Sequence, residues 1–146
     1  MNLIYYTDGG CYPNPGNGTW AFVCTEPYIE VSGSEKETTN NRMEIMAIME
    51  AIKHGLSLKA EKIHIFTDSQ YCQMAFTFWI EKWAKKAWKD KKNVDLFKEL
   101  LRIKMSNKGK IEVHWVKGHN GNEYNEIADK LVRQKYSDTF GGEMAH

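Results

Sequence analysis

The chain has 146 residues, 42% of them hydrophobic and 27% charged, enough for one domain whose packed core needs no disulfide or metal staple. With 20 Lys and Arg against 19 Asp and Glu the net charge is +1, which by itself neither favours nor excludes a polyanionic partner. No apolar run reaches the ~18 residues of a membrane span, the start "MNLIYYTDGG" is no secretory leader, and the three cysteines show no CxxC or zinc spacing; a reducing, cytoplasmic setting is expected.

"LIYYT" (3–7) predicts a strand, ended by the turn-rich "DGGCYPNPGNG" (8–18). "TWAFVCT" (19–25) and "YIEVSGSE" (28–35) predict two more strands, and the short links favour an antiparallel meander. "TTNNRMEIMAIMEAIKHG" (38–55) predicts a helix. Thr38, Thr39, Asn40 and Asn41 are candidate N-caps, Ile45, Ile48, Met49 and Ile52 form an apolar stripe, and Gly55 is the candidate C-cap. "KIHIFT" (62–67) predicts a strand reached through that helical crossover, hence parallel to an earlier one.

Residues 69–105 read as helical pieces with a basic middle. "KIEVHWV" (110–116) alternates Ile111, Val113 and Trp115 on one face of a strand. "NEYNEIADKLVRQKY" (122–136) predicts a last amphipathic helix, with Tyr124, Ile127, Ala128, Leu131 and Val132 as its apolar side. The expectation is an α/β domain over 1–136, followed by a poorly ordered tail over 137–146. Its sheet is mixed and five-stranded, the first three strands antiparallel, with flanking helices.

Four carboxylates stand out. Asp8 is predicted to end the first strand and Asp68 the fourth, where ligands of open α/β sheets gather. Glu44 shares a helix face with Ile48, and Asp129 lies three residues before Val132, so both border apolar stripes. Each alone is accounted for by a cap, a helix dipole or a solvated face; together they gain meaning only if they converge. Clustered carboxylates repel and some retain protons. Divalent cations relieve the conflict: Mg²⁺ takes oxygen ligands, and two ions about 3.5–4 Å apart suit phosphoryl displacement.

The segments "YTDGGCYPNPGNG", "TTNNRMEIMA", "TDSQY", "WIEKWAKKAWK", "KNVDLF" and "VKGHNGNEYNEIAD" run in order through nearly the whole chain. In them the sequence resembles type 1 ribonuclease H. That resemblance implies the ribonuclease H-like fold and an endonuclease that hydrolyses the RNA strand of RNA–DNA hybrids. It implies two Mg²⁺ ions, with Mn²⁺ as substitute, and 5′-phosphate and 3′-hydroxyl products. It puts the metal-binding, catalytic quartet on Asp8, Glu44, Asp68 and Asp129, and a proton-transfer or product-release histidine on His119.

The same resemblance puts 2′-hydroxyl recognition on Asn14, Asn40, Asn41 and Gln70, whose amides both donate and accept. Thr39 and Asn93 match the pocket for a DNA phosphate; Tyr71, Trp79 and Trp83 match the aromatic channel under the deoxyribose. "KWAKKAWKDKK" (82–92), with six lysines and one acid, matches a basic handle in which Lys85, Lys86 and Lys89 would neutralise backbone charge. Glu37 stands where several relatives carry arginine, with Lys36 beside it. The handle loop is short, and no separate hybrid-binding domain is expected before this one, so low processivity is expected. The protein is expected to act as a monomer, without an obligatory protein partner and without a membrane.

Three other readings compete. A non-catalytic hybrid-binding module would need the lysines but not the acids. A receiver-like phosphoacceptor at Asp68 would need regular β/α alternation. A DNA nuclease of integrase or resolvase type would share the fold but lack the "TTNNRME" set.

Overall fold

The computed structural model describes residues 1–118 and 121–145. Five strands, β1 (Asn2–Tyr12), β2 (Gly16–Thr25), β3 (Tyr28–Thr38), β4 (Lys62–Thr67) and β5 (Ile111–Trp115), form one sheet in the order β3-β2-β1-β4-β5. The β1–β2 and β2–β3 pairs are antiparallel, whereas β4 runs parallel to β1 and β5 parallel to β4. The meander and the crossover are therefore as expected.

Helix α1 (Asn40–Ser57) covers one face. Leu3, Tyr5, Ile63 and Ile65 from the sheet meet Ile45, Ile48 and Ile52 there, in a main core completed by α4 (Val94–Ser106) through Phe97, Leu100 and Ile103. Helix α5 (Glu123–Phe140) covers the other face over β1–β3, closing a smaller core of Ala21, Val132, Tyr136 and Met144. Between β4 and α4 the chain forms α2 (Gln70–Met74), a π-helical turn (Ala75–Trp79) and α3 (Ile80–Lys85).

Several boundaries differ from expectation, each for a tertiary reason. β1 does not stop at Thr7; it continues through Asp8-Gly9-Gly10 to Tyr12, paired residue by residue with β2. Ladder hydrogen bonds to a neighbouring strand outweigh the local preference of glycine for turns. Gly55 is no cap: it is buried inside α1, where a Cβ would stand 2.7 Å from Ile63 Cδ1, so the helix rests directly on β4. α5 extends past the predicted end at Tyr136 to Phe140, and Met144 beyond it is buried, because this stretch packs against the second core. Among the described residues no helix is long and apolar enough to cross a membrane.

Candidate active site

The parallel β1–β4 ladder ends at Thr7 and Thr67, but β1, still paired with β2, runs on past the end of β4. That leaves a notch at the carboxyl end of β4, with Asp8 on one wall and Asp68 at its base. Asp68 is held from several sides. Val116 N–H donates to Thr67 O at 2.8 Å, Trp115 Nε1 to Asp68 O at 3.1 Å, and Ser69 caps α2 by accepting from Cys72 N–H at 3.1 Å.

Glu44 enters the notch from the first turns of α1. Thr39 is the N-cap, accepting from Arg42 N–H at 3.2 Å, so neither Asn40 nor Asn41 is spent on that role. The close approach depends on Gly9, where a Cβ would lie 2.5 Å from Glu44 N. Gly9 N–H also hydrogen-bonds the Glu44 carboxylate. Gly9 reads in the sequence as turn punctuation; a glycine inside a strand, next to a helix that must touch it, is the sign that identifies it.

Ligand oxygens of Asp8, Glu44 and Asp68 lie within 4.8 Å of one another. Glu44 Oε1 is enclosed without a hydrogen-bond partner. Burial, then the charge of Asp8, then that of Asp68 push the Glu44 carboxyl well above the usual carboxylate range, against the weaker pull of Gly9 N–H. Burial also raises the neighbouring Cys72 thiol, helped by Glu44. Three converging carboxylates, one with an orphaned buried oxygen, form a donor set suited to a hard divalent cation. The loop after β5 closes on the same spot, since a Cβ on Gly118 would meet Asp68 Oδ2 at 2.9 Å.

Asp129 departs from the predicted picture. It does not border the apolar side of α5 but lies on its buried face with Asn125, Ala128, Val132 and Tyr136, and is only 8% exposed. It stands outside the three-carboxylate cluster, and its Oδ2 pairs with Arg133 Nη2 at 2.8 Å. His119 lies outside the described residues.

Two of the predicted amides are tied to each other, and all four are at the surface. Asn14 Oδ1 accepts from Asn40 N–H at 3.1 Å, and Asn40 Oδ1 accepts from Cys11 N–H at 2.7 Å, tying the β1–β2 turn to the start of α1. Asn14, Asn40, Asn41 and Gln70 are exposed. Glu37 has φ 53° in a bulge where β3 slips against Gly16 and Gly18 of β2.

Asn93 hydrogen-bonds Tyr71, whose hydroxyl is nonetheless raised by burial. Tyr71 and Trp83 both meet Phe97 edge-on, at 5.9 and 5.4 Å between centroids, and Trp79 lies 5.7 Å from Trp83. Lys85, Lys86 and Lys89 are exposed, and Lys91 Nζ sits 5.0 Å from the Trp83 centroid. Arg42 grips Asp95 through two hydrogen bonds of 2.9 and 2.8 Å, locking α4 to the start of α1. No periodicity in the sequence announces that pair.

A mixed sheet of this order, with acids at the split between β1 and β4, defines the ribonuclease H-like class of fold. The RNase H family model matches residues 1–137. A ribonuclease H of Campylobacter jejuni (strain 81-176) is 46% identical over 136 residues, covering 91% of this chain and 90% of that protein. A ribonuclease H of Treponema denticola is 41% identical over 154 residues, covering 90% and 95%. Among solved structures, LC9-RNase H1, described as a type 1 RNase H with the type 2 active-site motif, matches with TM-score 0.78 at 26% identity, over 99% of this chain and 78% of that one. Prototype foamy virus protease–reverse transcriptase matches with TM-score 0.76 at 25% identity, over 90% of this chain and 20% of that one. The chain belongs to the ribonuclease H family, and is a nuclease.

Proposed function

We propose that the protein hydrolyses the RNA strand of RNA–DNA hybrids, leaving 5′-phosphate and 3′-hydroxyl ends. The observation that carries this reading is the convergence of Asp8, Glu44 and Asp68 in one notch, in a chain that also exposes the matching amides and a basic arm. Asp8, Glu44 and Asp68, together with Asp129, would hold two divalent cations, Mg²⁺ or in its place Mn²⁺. Such a pair, when bound, supplies charge neutralisation at the phosphate and a more acidic attacking water.

The remaining residues bind and orient the hybrid. Asn14, Asn40, Asn41 and Gln70 read 2′-hydroxyls across the minor groove. Thr39 and Asn93 hold a DNA phosphate, while Tyr71, Trp79 and Trp83 pack against the deoxyribose, which has no hydroxyl to exclude. Lys85, Lys86 and Lys89 neutralise backbone charge locally, so a protein of net charge +1 still attracts a polyanion. His119 moves a proton at the scissile phosphate or assists product release. On this reading the protein works as a cytoplasmic monomer without an obligatory protein partner.

The test is cleavage of a labelled RNA–DNA hybrid beside matched RNA duplex, DNA duplex and single strands, with Mg²⁺ and with EDTA. Cutting confined to the RNA of the hybrid and abolished by EDTA is expected. Binding without cutting, in Mg²⁺ and in Mn²⁺, would make the protein a hybrid-binding module. Cutting of DNA would assign the substrate of an integrase-type relative.

A further inference from the structure

A second ligand cluster lies on the β4–β5 edge of the sheet and shares no residue with the carboxylate notch. His64 on β4 is the register partner of Glu112 on β5, and Phe66 is the partner of His114. Strand alternation puts His64, Glu112 and His114 on one face. This is the face that α5 covers over β1–β3. At the β4–β5 end all three side chains reach solvent, with 25%, 48% and 39% exposure respectively.

His64 Nδ1 lies 3.1 Å from His114 Nε2 and 3.3 Å from Glu112 Oε2, and His114 Nε2 lies 3.9 Å from Glu112 Oε2. Ligands held about 2.0–2.1 Å from a tetrahedral ion sit roughly 3.3–3.4 Å apart, and the three spacings bracket that value. Hydrogen bonding alone serves this arrangement poorly. A neutral imidazole nitrogen carries one hydrogen or one lone pair, so His64 Nδ1 cannot satisfy both neighbours at once. A cation shared by the three atoms would remove that competition.

The surroundings fix the donors. His114 is stacked on Phe66 with centroids 4.8 Å apart and on His64 at 5.3 Å, and Phe66 is stacked on Tyr6 at 5.0 Å. Lys62 Nζ stands 3.8 Å from Glu112 Oε1, leaving Oε2 toward the imidazoles. Two nitrogens and one carboxylate suit zinc, copper or nickel, whereas Mg²⁺ prefers all-oxygen sets such as the notch.

We propose that His64 Nδ1, His114 Nε2 and Glu112 Oε2 form a binding site for a divalent late transition metal of the zinc class, with a fourth position open to water. Occupancy would clamp β5, an edge strand, to β4, whose far end carries Asp68.

The test is Zn²⁺ binding to metal-free protein by competition with a chromophoric chelator, in excess Mg²⁺ so that the carboxylate notch is not the reporter, and Co²⁺ titration followed in the visible. One equivalent bound per chain, with Co²⁺ d–d bands, is expected. Either His64→Gln or His114→Gln should weaken binding at least ~10-fold, a loss seen even on removing an outer partner of a metal ligand. Zinc should raise the thermal midpoint of the unmodified protein and not of these variants. No zinc binding in the micromolar range, or unchanged affinity in both histidine variants, would overturn the proposal. Glu112→Gln, at a half-exposed carboxylate, decides the matter should a histidine variant not fold; unchanged affinity there would also overturn it.

Discussion

The acidic notch and the basic arm are opposite solutions to placing charge. In the notch, like charges are forced together by regular elements: a strand, a helix capped by Thr39, and a strand end. The price is an enclosed Glu44 oxygen without a partner and a carboxyl that resists ionisation. In the arm, six lysines are spread over solvent on residues 82–92, where α3 ends and the backbone becomes irregular. Ala87, Trp88, Asp90 and Asn93 all have φ between 55° and 60°. A cation site needs donors fixed to within fractions of an ångström, so it is built on rigid elements. Attraction of a polyanion falls off over a Debye length of ~8–10 Å and tolerates a loose scaffold.

The sharpest break of this contrast is Asp8→Asn. Cleavage should fall on the order of 100-fold or more while hybrid binding survives, checked by single-turnover kinetics beside a filter-binding assay. Activity above a few per cent would count against a cation-holding role for Asp8. Next is Gly9→Ala, which tests rigidity without touching charge. The new methyl would press on Glu44 N, costing about 1–3 kcal/mol in chemical denaturation and reducing cleavage as Glu44 is displaced.

On the arm the response should be graded. Lys85, Lys86 and Lys89 changed together to Ala should raise KM several-fold and flatten its salt dependence, by up to ~0.9 in log–log slope per lost phosphate contact. An unchanged KM would return these lysines to a merely solvated face. The arm's backbone is also improvable. Trp88 N–H bonds Trp83 O and Ala87 N–H bonds Ala84 O, the paired bonds that close a helix through a left-handed residue. That residue is Ala87, so Ala87→Gly should stabilise the protein by about 1 kcal/mol, read from the thermal midpoint.

The smallest effect concerns the clamp between α1 and α4. Arg42 holds the Asp95 carboxyl down at about 2, so its folded-state pKa lies below the unfolded value. Its stabilisation is therefore present above the ordinary aspartate range and lost as pH falls toward 2. Asp95 is 66% exposed, so screening limits the contribution to roughly 0.5 kcal/mol. The stability gap between the protein and Asp95→Asn should close on acidification.

Local pattern alone determined much of this protein. The apolar stripe of α1, the cap cluster at its start, the three early strands and the run ending at Asp68 are all legible because period and turn chemistry are local. The pattern also singled out Asp8, Glu44 and Asp68 as carboxylates that interrupt or border it, but their convergence in one notch belongs to the tertiary structure. Tertiary structure alone decided that β1 runs through its glycines, that Gly9 admits Glu44, and that Asp129 is buried beside Arg133. It also decided that Arg42 meets Asp95 and that His64 meets Glu112 and His114. These pairings join residues far apart in sequence, through strand register and helix docking. The energy that fixes them comes from ladder bonds and burial between segments, which no single window of sequence contains.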